Sequence, residues 1–523
     1  MSVQSIATEQ PKGSLKKTIN VPLNRVEGDL EIRVELDGDR VSDAWSSGTM
    51  FRGIENILVG RGALDGLVIT PRICGICGTA HLTAAAKALE AISGTEPPPD
   101  AVRIRNLALM TEHVQSDVRH GFLMFMADFA NPAYKTCALY EEAVRRFEPF
   151  KGETVIDAIR ETKKVLEIVA ILGGQWPHSS YMVPGGVVTT PNQGDLFQCK
   201  HLLSSYRAWY ERKVLGCSIQ RWLEVRSAAD LDTWLEEKAS HRDSDLGVYI
   251  RFAREIGLET IGRGYGNFVS YGYLDVPVGS QVRGRSDCAS HLVPAGFARG
   301  VEVNPFDQEK VAEHVAHSWF EDYEGGKHPF EGQTHPYASG REGAKYSWAK
   351  APRYDGLPAE TGPLAEMIIA GHPLFIDLVG TDGPSVFVRE LARLVRPAEL
   401  MPAMAQWLAE IPSNGNFYVH GSEITDGEGF GLTEAARGAL GHWVKIADRK
   451  IQHYQVITPT AWHASPRDSN GVRGPWEEAL VGTPVKDPTN PVELGHVVRS
   501  FDACLVCTVH AIRGGQSLMR KTL

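Results

Sequence analysis

The sequence predicts a mainly helical protein with smaller β elements, an α+β fold. Long segments rich in strong helix formers recur through the chain, and short alternating or β-branched runs stand near its start. No internal repeat, low-complexity tract or clean linker divides the 523 residues, and 43% of them are hydrophobic. A chain of this length and composition can bury a large core.

A small antiparallel β element is predicted near the start, after a flexible lead of residues 1 to about 17. Residues 19–34 and 40–45 hold the alternating and β-branched runs. The break between them at residues 37–39 consists of Asp and Gly, which favour a turn.

A helix is predicted at residues 81–92, HLTAAAKALEAI, which are rich in helix formers. Ser93, Gly94 and the prolines at 97–99 end it. Longer helical patterns follow at residues 102–125, 154–172 and 195–223.

A further helical pattern at residues 390–408 contains Pro397 and Pro402. Because proline lacks an N–H group and clashes with the preceding turn, we expect two short helices here rather than one. Residues 262–355 are dense in Gly, Pro and Tyr and are predicted to form loops and short hairpins.

The composition of the chain argues against some classes of function. The net charge of -10 is spread without long acidic or basic blocks, which argues against nucleic acid as a main partner. The apolar runs are too short for a membrane span, and the first residues, MSVQSIATEQPKGSLKKT, lack an apolar signal core. We expect a cytoplasmic protein that meets a membrane only through partners, and export on a partner's signal is the alternative.

Two cysteine pairs of identical spacing stand far apart in the sequence: Cys74 and Cys77 in RICGICGTAH, and Cys504 and Cys507 in DACLVCTVH. A C-x-x-C step lets two thiolates reach one ion. Two such steps supply four sulfurs that only the folded chain can bring together. This pattern predicts a metal site.

On spacing alone, four thiolates most often hold structural zinc or an iron–sulfur cluster, and a disulfide pair or a redox C-x-x-C are further alternatives. A zinc knuckle usually has its second pair within about twenty residues of the first. Here more than four hundred residues intervene, so a chemical role gains weight over a structural one. The remaining cysteines are scattered singly, which favours buried apolar residues in a reducing compartment: Cys137, Cys199, Cys217 and Cys288.

The two cysteine segments resemble those of the large subunit of nickel–iron hydrogenases. Further segments fit the family in order: RVEGD at 25–29, GTMFRGIE at 48–55, EAARGALGHW at 434–443 and SPRD at 465–468. The resemblance covers nearly the whole length, and six ordered segments are hard to obtain by chance. It implies the hydrogenase large-subunit fold, with long central helices and an N-terminal antiparallel β element.

The resemblance implies that nickel is bound by four cysteines: Cys74, Cys77, Cys504 and Cys507. Cys77 and Cys507 would also bridge to an iron, which in the family carries cyanide and carbon monoxide ligands. Thiolates are soft, strongly donating ligands that suit variable nickel oxidation states. The implied activity is the heterolytic oxidation of H2 to protons and electrons, in the uptake direction.

The resemblance also gives roles to other residues. Glu27 would accept and pass on the proton, and His81 would donate a hydrogen bond to a bridging cysteine sulfur. Arg467 would hold its guanidinium over the open metal position, oriented by Asp502 through a charge-assisted bond. From the residues alone, Glu27 is interpreted as a solvated surface group and His81 as a helix-start histidine bonded to backbone. Arg467 is then a surface ion-pair partner of Asp468.

Glu55 and His510 resemble the side-chain ligands of a buried magnesium ion. Carboxylate, carbonyl and water ligands are normal for magnesium, while histidine is less so. A lone glutamate such as Glu55 is otherwise commonly an ion-pair partner.

The chain departs from the family at several positions. Many members have His where this chain has Asp29, and Pro where it has Ala503. The position of an aspartate above the metal site falls at Ser116, with Asp117 alongside. These features resemble the actinobacterial-type, high-affinity uptake branch.

Partners are implied as well. The sequence supplies no ligands for an electron relay, so an iron–sulfur small subunit would carry the electrons, in a higher oligomer of heterodimers. Nickel-insertion proteins and a maturation endopeptidase are expected; cleavage after His510 would leave residues 1–510 as the hydrogenase domain and remove 511–523 as a propeptide. The alternatives are a quinone-reducing subunit related to respiratory complex I, against which the four cysteines argue, and a structural zinc protein.

Overall fold

The computed structural model describes residues 17–26, 28, 30–282, 290–339, 343–412 and 414–504. Helices and small sheets within these residues surround a main apolar core, so the predicted α+β class is confirmed. The helices are α1 (Ile54–Leu58), α2 (Gly66–Ile69), α3 (Gly78–Ser93), α4 (Pro99–Arg119), α5 (Tyr140–Phe147), α6 (Glu153–Val165), α7 (Glu167–Gly173), α8 (Gln193–Trp209), α9 (Ile219–Trp222), α10 (Ala228–Glu237), α11 (Ala239–Arg242), α12 (Asp245–Glu255), α13 (Pro363–Ile369), α14 (Pro373–Asp382), α15 (Val386–Glu410), α16 (Pro459–His463), α17 (Pro475–Leu480) and α18 (Val492–Ser500). The strands are β1 (Lys17–Leu23), β2 (Leu30–Asp37), β3 (Arg40–Gly48), β4 (Met182–Val183), β5 (Gly186–Val187), β6 (Asn267–Asp275), β7 (His291–Arg299), β8 (Glu302–Asn304), β9 (Val311–His314), β10 (Gly326–Lys327), β11 (Ala351–Tyr354), β12 (Gly427–Ala435), β13 (Gly438–Ala447) and β14 (Lys450–Ile457).

Over the described residues, the strands pair into small antiparallel sheets with the orders β1-β2-β3, β4-β5, β6-β7-β8, β10-β9-β11 and β12-β13-β14. The first sheet confirms the predicted N-terminal β element. Strand β2 buries every second residue, and Gly38, with a φ of +65°, makes the turn into β3. Residues 1–16 of the expected flexible lead lie outside the described residues.

Helix α15 lies at the centre of the molecule and packs against α4, α8, α12, α13 and α18. It runs unbroken through Pro397 and Pro402, so the prediction of two short helices was wrong. Each interior proline costs a helix about 3 kcal/mol, but α15 is buried on nearly all sides over its first four turns. In addition, Tyr210 donates its hydroxyl to the carbonyl of Leu394, three residues before the first proline, at 2.6 Å. Tertiary packing therefore outweighs the local cost.

The other predicted helices are present. The helix expected at 81–92 is α3, and the one expected at 102–125 is α4 followed by a π-helical turn, His120–Phe125. The two remaining patterns are each divided, into α6 and α7 at Leu166, and into α8 and α9 around a second π-helical turn, Tyr210–Leu215. Among the described residues, no single helix is long and apolar enough to cross a membrane; the bent pair α13 and α14 meets that requirement only together.

Two regions hold more β structure than predicted. Residues 262–355 contain β6 and β7, paired strands of 9 residues each, so the expectation of only loops and short hairpins was wrong. The sheet β12-β13-β14 was not predicted at all. Its central strand β13 is buried along almost its whole length, so it lacks the polar alternation that marks a half-exposed strand.

Strand β12 lies against helix α3 with no room for side chains at Gly429 and Gly431. A Cβ atom on Gly431 would stand 1.9 Å from the carbonyl oxygen of Ala84, and one on Gly429 would stand 2.3 Å from that of Ala88. The two glycines therefore set the distance between helix and sheet. This contact bears on the candidate site, because α3 begins directly after Cys77.

Candidate metal centre

The two cysteine segments meet in the interior of the fold. The Sγ atoms of Cys74 and Cys504 are 3.6 Å apart, although 430 residues separate them in the chain. Cys77 occupies the N-cap position of α3. These three side chains are at most 2% exposed, and Cys507 lies outside the described residues.

The sulfur separation suits a metal site better than a disulfide. A disulfide bond holds its sulfurs at about 2.05 Å, and Cys74 and Cys504 are free thiols. Two thiolates bound at about 2.3 Å to one tetrahedral ion would be roughly 3.7 Å apart. Among the described residues, no group of three or more His, Cys, Asp or Glu is arranged to hold a metal by itself, so a complete ligand set would include Cys507.

The first cysteine pair is held in place by Glu112 of helix α4. Its carboxyl group accepts hydrogen bonds from the backbone N–H groups of Thr79 at 3.0 Å and Ala80 at 3.3 Å, in the first turn of α3. Burial raises the pKa of Glu112 to about 8, against the opposing effect of these hydrogen bonds. The group is therefore mainly protonated at neutral pH and serves as a neutral anchor for the cysteine loop.

The positive charge beside the cysteines belongs to Arg437, in the turn between β12 and β13. Burial disfavours its charge, but the Asp502 carboxylate and the negative charge of the three described cysteines as thiolates outweigh burial and raise the pKa of Arg437. Its Nη1 is a buried donor without a hydrogen-bond acceptor among the described residues. Arg437 thus brings a fixed charge and an unused N–H donor to the thiols.

Asp502 does not contact Arg467, so the predicted pairing of these two residues was wrong. The carboxylate of Asp502 accepts hydrogen bonds from Arg437 Nε at 3.0 Å and from Arg393 Nη1 at 3.3 Å. Burial opposes its ionisation, but the two arginines and a nearby histidine lower the pKa of Asp502 to about 2. Arg467 instead pairs with Asp43 at 2.5 Å and is 20% exposed.

The alternative positions Ser116 and Asp117 both lie on the buried part of α4. Asp117 accepts two hydrogen bonds from Arg396, at 2.9 and 2.7 Å, and lies 4.0 Å from Arg393. Because Arg393 also contacts Asp502, Asp117 belongs to the same buried ionic network as the carboxylate next to Arg437.

His81 is buried one turn after Cys77 in α3, and its backbone N–H donates to the Cys77 carbonyl at 3.2 Å. Its Nδ1 lies 3.0 Å from Nε2 of His442 in β13. Burial lowers the pKa of His81 to about 4, although the Cys74 thiol acts in the opposite direction. The imidazole is therefore neutral, and the partner of its Nδ1 within the described residues is a side chain.

Glu55 borders a small cavity of about 30 Å³ between α1 and β14. Its carboxylate accepts hydrogen bonds from the Val456 N–H at 2.9 Å and from the Thr334 hydroxyl. Glu313 lines the same cavity, and burial together with the charge of Glu55 raises the pKa of Glu313 to about 7. The Oε1 atom of Gln455 is a further buried acceptor there, with no donor among the described residues. The Lys350 ammonium lines the same cavity, 3.9 Å from Glu313. Carboxylate and carbonyl oxygens suit a hard cation, and the volume holds one ion or water.

Several predicted site residues lie outside the described residues: Glu27, Asp29, Cys507, His510 and the segment 511–523. Of the singly placed cysteines, Cys199 is buried, Cys137 and Cys217 are half-buried, and Cys288 is not described.

Sequence reasoning missed Arg437, Glu112, His442 and Arg393. Arg437 and His442 stand in EAARGALGHW, a segment already quoted for the family resemblance, so a signal for them was present. Glu112 and Arg393 stand in helices whose hydrophobic pattern predicts which residues are buried but not which residues they contact. A charged residue on the buried face of a predicted helix is the signal that could have found them, because burial of an unpaired charge is costly.

Comparison with known proteins gives a consistent result. The sequence profile of the family described as nickel-dependent hydrogenase matches residues 52–145 and 153–510. The periplasmic [NiFeSe] hydrogenase large subunit of Desulfomicrobium baculatum is 33% identical over 97% of this chain and 97% of its own length. The uptake hydrogenase large subunit of Rhodobacter capsulatus is 28% identical over 97% of this chain and 98% of its own length.

Solved structures agree with the sequence comparison. The Ni-Fe-Se hydrogenase of D. vulgaris Hildenborough in the reduced state superposes with a TM-score of 0.80 and 30% identity, covering 95% of this chain and 100% of that chain. A reduced, active form of the Ni-Fe-Se hydrogenase of Desulfomicrobium baculatum gives a TM-score of 0.77 over 95% of this chain.

Proposed function

Because this chain belongs to the nickel-dependent hydrogenase family, as a large subunit, we propose that it oxidises H2 to protons and electrons in the uptake direction. The observation that carries the proposal is the buried contact of Cys74 with Cys504 at 3.6 Å, with the Arg437 guanidinium beside the thiols. The uptake direction is supported by relatives that are named uptake hydrogenases.

The four paired cysteines would hold the nickel: Cys74, Cys77, Cys504 and Cys507. Cys77 and Cys507 would share an iron whose remaining ligands are cyanide and carbon monoxide. When bound, this nickel–iron centre polarises H2 and accepts its electrons. The buried thiols of Cys74, Cys77 and Cys504 exclude bulk water from their side of the site, which strengthens every electrostatic interaction within it.

Arg437, and not Arg467, would supply the positive charge of the site. A guanidinium stays charged at all relevant pH values, and its unused Nη1 donor faces no acceptor among the described residues. Asp502 fixes this guanidinium through its hydrogen bond to Nε. A preorganised charge of this kind stabilises charge separation in H2 without reorganising during the reaction.

Glu27 would carry the proton away from the site, and His81 would donate a hydrogen bond to a cysteine sulfur. Arg25, two residues before Glu27, pairs with Asp128, and Asp128 also pairs with Arg499 of α18. A carboxylate can take up a proton and pass it on when it lies within hydrogen-bond reach of the donor.

A magnesium ion would bind Glu55 and His510. The cavity next to Glu55 supports this part of the proposal, because Glu313 and Gln455 also line it and the Oε1 of Gln455 has no donor among the described residues.

An iron–sulfur small subunit would receive the electrons, in a higher oligomer of heterodimers. Relatives that are named large subunits or large chains support a second subunit. Nickel-insertion proteins and an endopeptidase that removes residues 511–523 would mature the chain into the domain 1–510. The expected cytoplasmic location stays a prediction, and one relative is named as periplasmic.

Metal analysis tests the proposal directly. The chain should be purified from its native host with any bound partner, and nickel, iron and zinc measured per chain. About one nickel per chain, infrared bands of diatomic ligands and H2-dependent dye reduction are expected. Zinc without nickel, in protein whose mass shows that residues 511–523 are gone, would overturn it in favour of a structural zinc site.

A further inference from the structure

Three buried side chains form a hydrogen-bonded chain that ends at His81. Nδ1 of His81 lies 3.0 Å from Nε2 of His442, and Nδ1 of His442 lies 2.9 Å from the hydroxyl oxygen of Tyr454. The side chains come from α3, β13 and β14, and none is more than 4% exposed. Bulk water therefore cannot form hydrogen bonds with these three side chains.

The contact between the two imidazoles restricts where their protons can lie. Nδ1 of His81 and Nε2 of His442 are 3.0 Å apart, so only one of these two nitrogens can carry a proton. Burial lowers the pKa of His442 well below its ordinary value, so His442 is neutral. A neutral imidazole has one N–H donor and one bare nitrogen acceptor. In each of the two contacts one atom therefore donates and the other accepts. Which atom donates decides which nitrogen of His81 carries its proton.

The Tyr454 hydroxyl decides which atoms donate in these hydrogen bonds. Among the described residues it has a single hydrogen-bond partner, Nδ1 of His442. If the hydroxyl donates, His442 carries its proton on Nε2 and donates to Nδ1 of His81, which leaves the proton of His81 on Nε2. The opposite direction would leave a buried O–H donor without an acceptor, which costs about 1–3 kcal/mol.

The rings have little freedom to turn away from this arrangement. The ring of Tyr454 packs on the backbone at Gly66, where a Cβ atom would stand 3.2 Å from a ring carbon. The rings of His442 and Tyr454 meet edge to face with centroids 5.5 Å apart, and those of His81 and His442 lie 5.3 Å apart. The packing thus holds the donor and acceptor atoms in line.

We propose that Tyr454 and His442 are positioning residues that hold His81 in its Nε2–H tautomer, so that its N–H remains available to the sulfur ligands of the metal centre. The proposal rests on the function proposed above for the role of the sulfurs. The proton positions, however, are properties of these three side chains alone. His81 is suited to this role because it follows Cys77 by one helical turn.

The test uses the purified complex and two tyrosine variants. Tyr454→Phe removes the hydroxyl that donates to Nδ1 of His442. Tyr249→Phe is the matched control, because the Tyr249 hydroxyl is equally buried and donates to the carbonyl of Phe387 at 2.8 Å. Both variants lose one buried hydrogen bond, so a similar loss of stability is expected from each.

The first readout is the histidine tautomer, from nitrogen NMR of histidine-labelled protein or from neutron diffraction. In the wild type, His442 and His81 should both carry the proton on Nε2. Tyr454→Phe should give a mixture of tautomers at both rings, whereas Tyr249→Phe should leave them unchanged. His442→Gln should keep His81 in the Nε2–H form, because the Gln amide can donate in place of the imidazole, and His442→Leu should not.

The second readout is the infrared spectrum of the diatomic ligands, with nickel content and H2 uptake. Tyr454→Phe should keep its nickel, shift the infrared bands and lose about tenfold in H2 uptake, while Tyr249→Phe should do none of these. A wild-type His81 protonated on Nδ1, or tautomers unchanged by Tyr454→Phe, would overturn the proposal whatever the metal. Absence of nickel and of infrared bands in the wild type would instead refute the proposed function and leave the tautomer result standing.

Discussion

Arg437 donates a hydrogen bond of 3.0 Å to Asp502 across 65 residues of chain, which joins the β12–β13 turn to the residue two positions before Cys504. The negative charge of the three described cysteines as thiolates also raises the pKa of this guanidinium. The contact therefore fixes Asp502, just before Cys504, against the sheet that packs on α3, and it supports the proposal that Arg437 supplies the positive charge of the site.

Arg437→Lys should lower H2 uptake by about 100-fold. Lysine keeps the charge but loses the Nε bond to Asp502 and the planar geometry of the guanidinium, and loss of one preorganised electrostatic contact typically costs two to three orders of magnitude. The measurement is H2-dependent dye reduction at matched nickel content. Arg467→Lys is the control and should keep most of the activity, since Arg467 pairs with Asp43. Equal losses in both variants would contradict the assignment to Arg437.

Cys504→Ser should abolish nickel retention. Cys504 is wholly buried next to Cys74, and a serine hydroxyl is a poor replacement for a soft thiolate ligand. Nickel per chain, measured on the purified complex, should fall to background. Cys199→Ser removes an equally buried thiol away from the site and should keep its nickel. Full nickel in Cys504→Ser would refute the site.

Glu55→Gln should lose bound magnesium and the stability that the ion provides. An ion bound only by the folded chain stabilises it by mass action, so added magnesium should raise the melting temperature of the wild type but not that of the variant. Glu423→Gln, at an exposed ion pair with Arg449, serves as the control and should respond like the wild type. An identical response in Glu55→Gln would exclude Glu55 as a ligand.

His496 should make stability fall as the pH falls from about 6.5 to 4. Burial lowers the pKa of His496 to about 4, so in this window the unfolded chain binds a proton that the folded chain excludes. Stability then decreases by about 1.4 kcal/mol per pH unit through this one group. His496→Phe, among the rings of Phe125 and Phe129, should flatten the slope in urea unfolding between these pH values. Replacing His201, which is exposed, by Gln should leave the pH dependence of stability unchanged. If His496→Phe also leaves it unchanged, other groups cause the pH dependence in this range.

Gly431→Ala should destabilise the protein by about 1–3 kcal/mol, because the new Cβ would force α3 away from β12. Since α3 starts at the first cysteine pair, nickel content should fall as well. Gly380→Ala, in α14 with its nearest contact at 3.9 Å, is the control and should be neutral or slightly stabilising. Thermal unfolding and metal analysis are measured on both variants. Equal losses in the two would indicate a general effect of an added methyl group, whereas a loss in Gly431→Ala alone would indicate the contact between β12 and α3.

Local patterns predicted the helices and the N-terminal sheet, because hydrophobic period and turn residues act over a few positions. They failed at α15, where Pro397 and Pro402 indicate two helices and burial on nearly all sides holds one. They also failed at β13, whose near-complete burial removes the alternation that marks a strand. In both elements the deciding energy comes from neighbours distant in the sequence.

The candidate site shows the same division. The cysteine pairs are recognisable because ligand spacing within each pair is local. The proposed cation is not, since Arg437 and Arg467 both stand in segments that resemble the family, and only their contacts in the fold, Arg437 with Asp502 and Arg467 with Asp43, distinguish them. Glu112 is marked by its place on the buried face of a predicted helix, but nothing local shows that its partner is the first turn of α3.

The distance between Cys74 and Cys504 along the chain also governs when the site can close. At about 5–20 residues per second, a ribosome needs roughly 20–90 s to make the 430 residues that separate them. During that time Cys74 and Cys77 have emerged without their partners, exposed to oxidants and to any free metal. A site that uses both cysteine pairs can therefore be completed only after residue 507 has been made, and until then the thiols of the first pair need protection of their own.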